Sequence, residues 1–303
     1  MGIWLLVIIA SYFFFSLAFF GDKLMLSGKA NAALYAFYIG ILSALVVVFI
    51  PFINFRFPQT SSIVWIIADG LVYVLGVYTM FLALEKFEVS RVMPTIGALQ
   101  PVMILGLSWL IFGPQVITGA NIVAFSLLVL GSVLISLEKE FTITAGYIGL
   151  LSFSALLFSL DYVFSKVVFL QEPFLQGLIW IRIAGFFVAL IFLFSKNLRG
   201  QVFPSLDFAK HKNHPLVHTK TGLFFVATQS AGGIAGLLQS IAIWLVPVSY
   251  LAIINSLRGV QYVFLFLITL CFSLFLPKVF KEDISKKNVI QKMVAIGIIV
   301  VAL

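Results

Sequence analysis

Apolar runs of about twenty residues, separated by short polar breaks, repeat along the whole chain. A helix needs roughly 20 mostly apolar residues to cross a bilayer. Such runs occupy approximately 3–20, 33–53, 62–84, 92–112, 117–137, 145–168, 175–195, 222–245, 249–276 and 289–303. They predict ten spanning helices. The last run reaches only 15 residues, so that span is either incomplete or cut short. Residues 1–20 are apolar from the outset, with no basic leader and no small-residue cleavage site, and predict a retained first span. Most breaks are short, such as GPQV after the fourth run and QEP after the sixth. The exception is 196–221, KNLRGQVFPSLDFAKHKNHPLVHTKT, which is polar, basic and carries two prolines. Backbone of that kind is not tolerated in contact with lipid, so it reads as a surface loop.

The runs also repeat as words. SYFFFSLAFFGDKLML (11–26) lies over SALLFSLDYVFSKVVF (154–169) at an offset of 143, matching Ser11/Ser154, Phe15/Phe158, Ser16/Ser159, Leu17/Leu160 and Lys23/Lys166. LALEKFEVSRVMPTIGALQP (82–101) lies over SIAIWLVPVSYLAIINSLRGV, which starts at Ser240, at an offset of 159. There Ala83/Ala242, Val89/Val248 and Ser90/Ser249 match. The loop 196–221 falls between the two matches, and an insertion of 16 residues there explains the change in offset. The chain therefore reads as two five-span halves, 1–141 and 142–303. An odd number of spans makes two copies enter the membrane from opposite sides, the arrangement of an inverted repeat. Lys23 and Lys166 then close equivalent helices on opposite faces, where their stems would snorkel to the headgroups.

Composition agrees with an all-α integral membrane fold. Hydrophobic residues make up 62% and charged residues 10%, with a mean hydropathy of +1.16. Soluble domains carry about 25% charged residues. The net charge of +8 is not a nucleic-acid signal. Fifteen basic residues fall in the odd-numbered breaks, against Arg56 and Lys166 on the other side. The positive-inside rule puts those fifteen, and the loop 196–221, in the cytoplasm with both termini outside. A single cysteine, Cys271, excludes an intrachain disulfide and a thiolate metal cluster. It is expected to be a small buried hydrophobe.

The segments ALEKFEVSRVMPTIGALQPVMILGLSWLIFGPQ, QSIAIWLVPVSYLAIINSLRGVQYVF and PKVFKEDIS resemble the drug/metabolite transporter superfamily, and within it the ten-helix EamA-type branch. The resemblance covers nearly the whole chain and rests on individually weak motifs. It implies a five-plus-five inverted bundle with a central solute cavity lined by spans one to four and six to nine, worked by alternating access. The family's glutamate after span four is absent here, where Phe112, Gly113, Pro114 and Gln115 stand, whereas Glu282 fits its counterpart in the second half. Family members have cytoplasmic termini, the reverse of the charge count.

Ionisable side chains inside apolar helices cost about 2.5–3.5 kcal/mol each to insert. Four such residues mark candidate chemistry: Asp69, Asp161, Arg182 and Arg258. Arg258 has Asn255 three residues before it, Gln261 three after and Tyr262 four after, on neighbouring faces if the helix is continuous. A guanidinium among amides and a phenol suits a carboxylate or phosphate; a structural Arg–Asp pair is the alternative. Asp161, beside Tyr162, reads as a proton or cation site or as the counter-charge of Arg182 or Arg258. Arg182, beside Trp180, reads as a substrate or gate residue or as the same counter-charge. Asp69 and Gln100 complete the candidate set. Pro94 and Pro101 allow bending, for gating or as static kinks. Gly232 and Gly236, four apart in SAGGIAG, suit close helix packing. His211, His214 and His218 have metal-like spacing, but in a basic loop they read as solvated.

The expected activity is secondary transport of a small anionic or zwitterionic metabolite across the cytoplasmic membrane. No HExxH, GxSG or Walker-type glycine loop occurs, so neither a hydrolase nor an ATP-driven pump is expected, and no cofactor is implied. A receptor or scaffold without transport is the alternative. The expected partners are the lipid bilayer, a small-molecule substrate and a coupling proton or cation, with a homodimer left open and no nucleic acid.

Overall fold

The structure, a computed structural model, describes residues 2–25, 32–86, 89–117, 119–136, 145–194 and 219–275, with isolated positions at 196, 199, 294, 297 and 298. Every described element is helical. They are α1 (Ile3–Met25), α2 (Ala32–Ser43), α3 (Thr60–Lys86), α4 (Val89–Phe112), α5 (Gly119–Ser136), α6 (Ala145–Gln171), α7 (Phe174–Ile191), α8 (Thr219–Leu245), α9 (Leu251–Ser256) and α10 (Arg258–Phe275). In an apolar medium a helix satisfies its backbone internally, which is why each apolar run closes into one. Seven helices are long and apolar enough to cross a membrane. Two shorter apolar stretches, Ala36–Phe52 and Ile122–Gly131, coincide with the second and fifth runs. Apart from its isolated positions the run 289–303 lies outside the described residues, as do Glu282 and the three histidines.

The ninth run departs from expectation. It is not one helix: α9 stops at Ser256, Leu257 forms a turn, and α10 starts at Arg258. Asn255 and Arg258 therefore sit on opposite sides of a break instead of on one continuous helix. Conversely, α4 runs through Pro94 and Pro101 without interruption.

Contacts group the chain into two compact units. One comprises Met1–Gly28, Ser108–Phe141 and Pro215–Leu303, the other Lys29–Leu107 and Thr142–His214. Each draws on both sequence halves. In the first unit α1 packs along α8 and α10, and α5 lies against α9 and α10. In the second, α3 packs on α6, α7 and α2, and α2 also meets α7. An apolar cluster of Ala83, Val92, Ile96, Leu151 and Ala155 forms part of the second unit's core.

A 3₁₀ stretch, Ala44–Phe52, continues α2, and extended chain then leads to α3. That chain is clamped by the α6–α7 corner. Gln59 N donates to Glu172 Oε1 at 2.7 Å, Trp180 Nε1 donates to the Arg56 carbonyl at 2.9 Å, and Phe55 stacks on the Trp180 ring at 5.1 Å. Lys166 is 3% exposed, enclosed by protein instead of reaching outward. Cys271 is exposed, contrary to expectation. A thiol is apolar enough to face a lipid-like surroundings without penalty, so burial is not required of it.

Small residues set the closest helix approach. A Cβ on Gly70 of α3 would stand 2.6 Å from the backbone nitrogen of Gly185 on α7 and 2.7 Å from Ala184 Cβ. At Gly232 of α8 a Cβ would meet Ala18 of α1 at 3.7 Å, and at Gly236 it would meet no described atom within 4 Å. The tight contact of α1 with α8 lies instead at Gly21, whose Cβ would fall 2.3 Å from Thr228 Oγ1. Gly70→Ala is expected to destabilise the protein by about 1–3 kcal/mol, the usual cost of overpacking, because backbone cannot step aside. Gly236→Ala should be neutral or slightly stabilising, since alanine favours helix by roughly 1 kcal/mol. Thermal unfolding of the two variants in detergent checks this, and equal melting curves would contradict it.

Candidate functional site

Two polar clusters interrupt the apolar helices, one in each compact unit.

The first is built around α1. Three of its side chains reach carbonyl groups on three other helices. Ser11 Oγ donates to Ala235 O on α8 at 2.7 Å, Tyr12 Oη to Ile254 O on α9 at 2.6 Å, and Ser16 Oγ to Gln261 O on α10 at 2.8 Å. Ser11, Tyr12 and Ser16 are all fully buried. In an unbroken helix the Ile254 carbonyl would accept the amide of Arg258, four residues on. A side chain inserted into that ladder is an established cause of kinks. Here the Tyr12 phenol occupies the carbonyl where α9 gives way to α10. Leu257 N still makes the α-helical bond to Ile253 O at 3.1 Å, and just beyond it the backbone tightens to a three-residue step, Val260 N donating to Leu257 O at 2.9 Å.

Asn255 and Arg258 flank this break. Asn255 is 0% exposed, and neither its Oδ1 nor its Nδ2 finds a hydrogen-bond partner among the described residues. Arg258 is the first residue of α10, whose first turn contains no acid. Tyr262, one turn on, lies in the field of the Arg258 guanidinium. Gln261 is buried and engages Ser16 through its carbonyl. The break thus brings together four residues that the sequence singles out, and it adds Tyr12, which sequence reasoning passed over.

The second cluster spans α3, α6 and α7. Asp69 on α3 is fully buried and its Oδ2 accepts from Ser165 Oγ of α6 at 2.7 Å. The Asp69 and Asp161 carboxyls are hydrogen-bonding neighbours, and the charge of Arg182 on α7 acts on both. Arg182 places its guanidinium 4.6 Å from the centre of the Tyr73 ring. Of the two arginines that the sequence offered as a counter-charge for Asp161, Arg182 is the one whose charge acts on it. Ser165 and Tyr73 went unnoticed in the sequence. Their only signal is spacing: each lies four residues from an aspartate already singled out.

The remaining candidates fall elsewhere. Trp180 belongs to the clamp on Arg56 and Phe55, on a different face from Arg182. Gln100 is buried on α4, and its carbonyl accepts from Ser159 Oγ of α6 at 3.2 Å. Tyr162 is buried on α6.

No family model matches the chain, and no curated protein matches it. A solved structure described only as "Crystal structure of protein" is similar to it with a TM-score of 0.65. That structure is 16% identical, over 98% of this chain and 95% of the other. At that identity the likeness shows a shared fold.

Tyr12→Phe removes the phenol donor while keeping the ring. It should lower stability by about 0.5–1.5 kcal/mol, the net worth of one hydrogen bond. Ser154→Ala, which removes a longer bond of 3.4 Å to Gly76 O, should cost less, nearer the roughly 0.6 kcal/mol average for hydrogen bonds between membrane helices. Unfolding in a denaturing detergent ranks the two, and the reverse order would show that Tyr12 is not what holds the break.

Proposed function

We infer that the protein is a secondary transporter for a small metabolite carrying an anionic group, and that the break between α9 and α10 is where that group binds. The carrying observation is Asn255: a fully buried amide with no hydrogen-bond partner among the described residues. A buried polar group left unsatisfied costs about 1–3 kcal/mol. Such a cost is maintained where a ligand supplies the missing partner. The position of Arg258 supports the same reading. The N-terminal end of a helix carries a partial positive charge, which favours anions and disfavours cations. An arginine placed there adds to that charge, and the two together suit a carboxylate or phosphate. Discontinuous helices inside apolar bundles serve such binding in transporters.

The internal hydrogen bonds support reading the halves 1–141 and 142–303 as inverted copies. Ser11 and Ser154, 143 apart, donate to Ala235 O and Gly76 O, whose numbers differ by 159. Those are the two offsets found in the sequence alone. Ser16 and Ser159, again 143 apart, donate to Gln261 O and Gln100 O. The ten-span count and the membership of the EamA-type branch belong to the same reading, as does placement in the cytoplasmic membrane. Such a fold works by exposing its solute site to one side of the membrane and then to the other.

A thermal-shift screen of the purified chain against small carboxylates, zwitterions and phosphates tests this, because a ligand of the folded state raises its apparent stability. Uptake of the best ligand into proteoliposomes separates transport from a receptor role. Arg258→Ala should weaken binding by about 2–5 kcal/mol, the usual cost of losing a buried charge contact. Arg258→Lys should recover only part, since lysine lacks the planar fork. Asn255→Leu should do two things at once: raise thermal stability by about 1–3 kcal/mol and weaken the ligand. Wild-type affinity in Arg258→Ala, or a loss of stability in Asn255→Leu with affinity intact, would remove the site from the break.

A further inference from the structure

The α3–α6–α7 cluster holds two carboxyl groups and one guanidinium. Asp69 Oδ2 is occupied by the Ser165 hydroxyl at 2.7 Å. Asp69 Oδ1 is buried and receives no N–H or O–H from any described residue. Its hydrogen-bonding neighbour is the carboxyl of Asp161. Two ionised carboxylates are both acceptors and cannot hydrogen-bond each other. Asp161 lies one turn before Ser165, the residue that holds Asp69, on the same helix, and two neighbouring carboxyls in an apolar site disfavour ionising together and favour sharing a proton.

The charges facing this pair complete the account. From α7 comes Arg182, tied to Tyr73 of α3 by its ring contact. From α6 come Asp161 and Ser165, one turn apart, while Tyr162 and Lys166 lie on the adjacent stripe of that helix. The helix α2, also packed on α3, carries no charged residue. With one proton on the pair, its single negative charge balances Arg182. With the proton released to water, the cluster carries one uncompensated negative charge inside apolar helices.

We propose that Asp69 and Asp161 together hold one exchangeable proton beside Arg182. The proton bridges Asp69 Oδ1 and the Asp161 carboxyl, and it leaves as a hydrated proton without breaking the Ser165 bond. This site stands on its own geometry whether or not the protein transports; in a transporter it is the place for a coupling proton.

Infrared difference spectra of the full chain in lipid vesicles, taken with no ligand present while pH is varied, read the proton directly. The wild type should show a protonated-carboxyl C=O band that shifts on deuteration and disappears at high pH. Asp69→Asn and Asp161→Asn should each abolish it, and Glu172→Gln, which changes a buried carboxylate outside the cluster, should not. If one aspartate variant fails to insert, the other carries the assignment, since either substitution removes the shared proton. A wild-type spectrum with no such band at any pH would overturn the proposal. So would a band that survives in the aspartate variants. Stabilisation by sodium chloride over choline chloride, lost in Asp161→Asn and unaccompanied by the band, would assign the pair to a metal cation and equally overturn it.

Discussion

In a chain so apolar, a hydroxyl that cannot reach water must donate to something within the protein, and the neighbouring helices offer chiefly their carbonyls. α1 and α6 are organised by that constraint. Ser11, Tyr12 and Ser16 carry α1 onto α8, α9 and α10. Ser154, Ser159 and Ser165 carry α6 onto α3, α4 and again α3. Apolar contact gives little preference between one helix neighbour and another when lipid tails are equally apolar. The donors do discriminate, because each needs an acceptor at one height and on one face. Ser16 and Ser159 also bond back to the carbonyls of Tyr12 and Ala155 on their own helices, at 2.7 Å in both cases. A hydroxyl has one hydrogen, so each of these serines shares its O–H between a carbonyl of its own helix and one of the neighbouring helix.

On the proposed reading of 1–141 and 142–303 as copies, the same scheme accounts for where they part. Under the 143 offset, Tyr12 corresponds to Ala155. Ala155 packs into the apolar cluster with Ala83, Val92 and Ile96, and α4 passes it as one helix. Tyr12 sends a hydroxyl into the facing span, and that span is broken into α9 and α10. The numbering records the difference. Gly76 and Ala235 differ by 159, whereas Gln100 and Gln261, reached by the second pair of serines, differ by 161. The span facing Tyr12 thus carries two residues more than its counterpart before the second tie is made. A helix held at both ends accommodates extra residues by interruption, and the Tyr12 phenol takes the carbonyl exposed there.

Much of this fold is legible in sequence because one property, apolarity over about twenty residues, decides each helix. Nine of the ten expected runs fall on described helices with ends displaced by a few residues. The break in the ninth was not legible. LAIINSLRGVQYVF has no proline, and the residue at the break is a leucine. The hydroxyl that meets the carbonyl freed there stands on α1, 242 positions away in the chain. The candidate charges were legible singly, since an ionisable group inside an apolar run is conspicuous. Their partnership was not. Asp69 and Arg182 meet because Gly70 lets α3 approach the backbone of α7 at Gly185. A single small residue on each helix does not make a readable motif. The glycine pair that did look like one, Gly232 and Gly236, lies where there is room to spare.

The two arginines that the sequence placed together as substrate residues are answered by different means, and this separates their roles. Arg182 sits in the middle of α7, away from either helix end, where the macrodipole does little. Its charge acts within its own unit on two carboxyls and lies over the face of Tyr73. A substrate anion there would have to compete with carboxylates already in place. Arg258 begins a helix, where the backbone adds positive potential instead of cancelling it. Beside it stands an amide whose donor and acceptor both await a partner among the described residues. A carboxylate or phosphate satisfies the donor and the charge together, and a zwitterion can in addition offer an N–H to the amide oxygen. On the proposed reading of the break as a substrate site, the chemistry of Asn255 favours substrates that carry a donor next to their anionic group over those that are anionic alone.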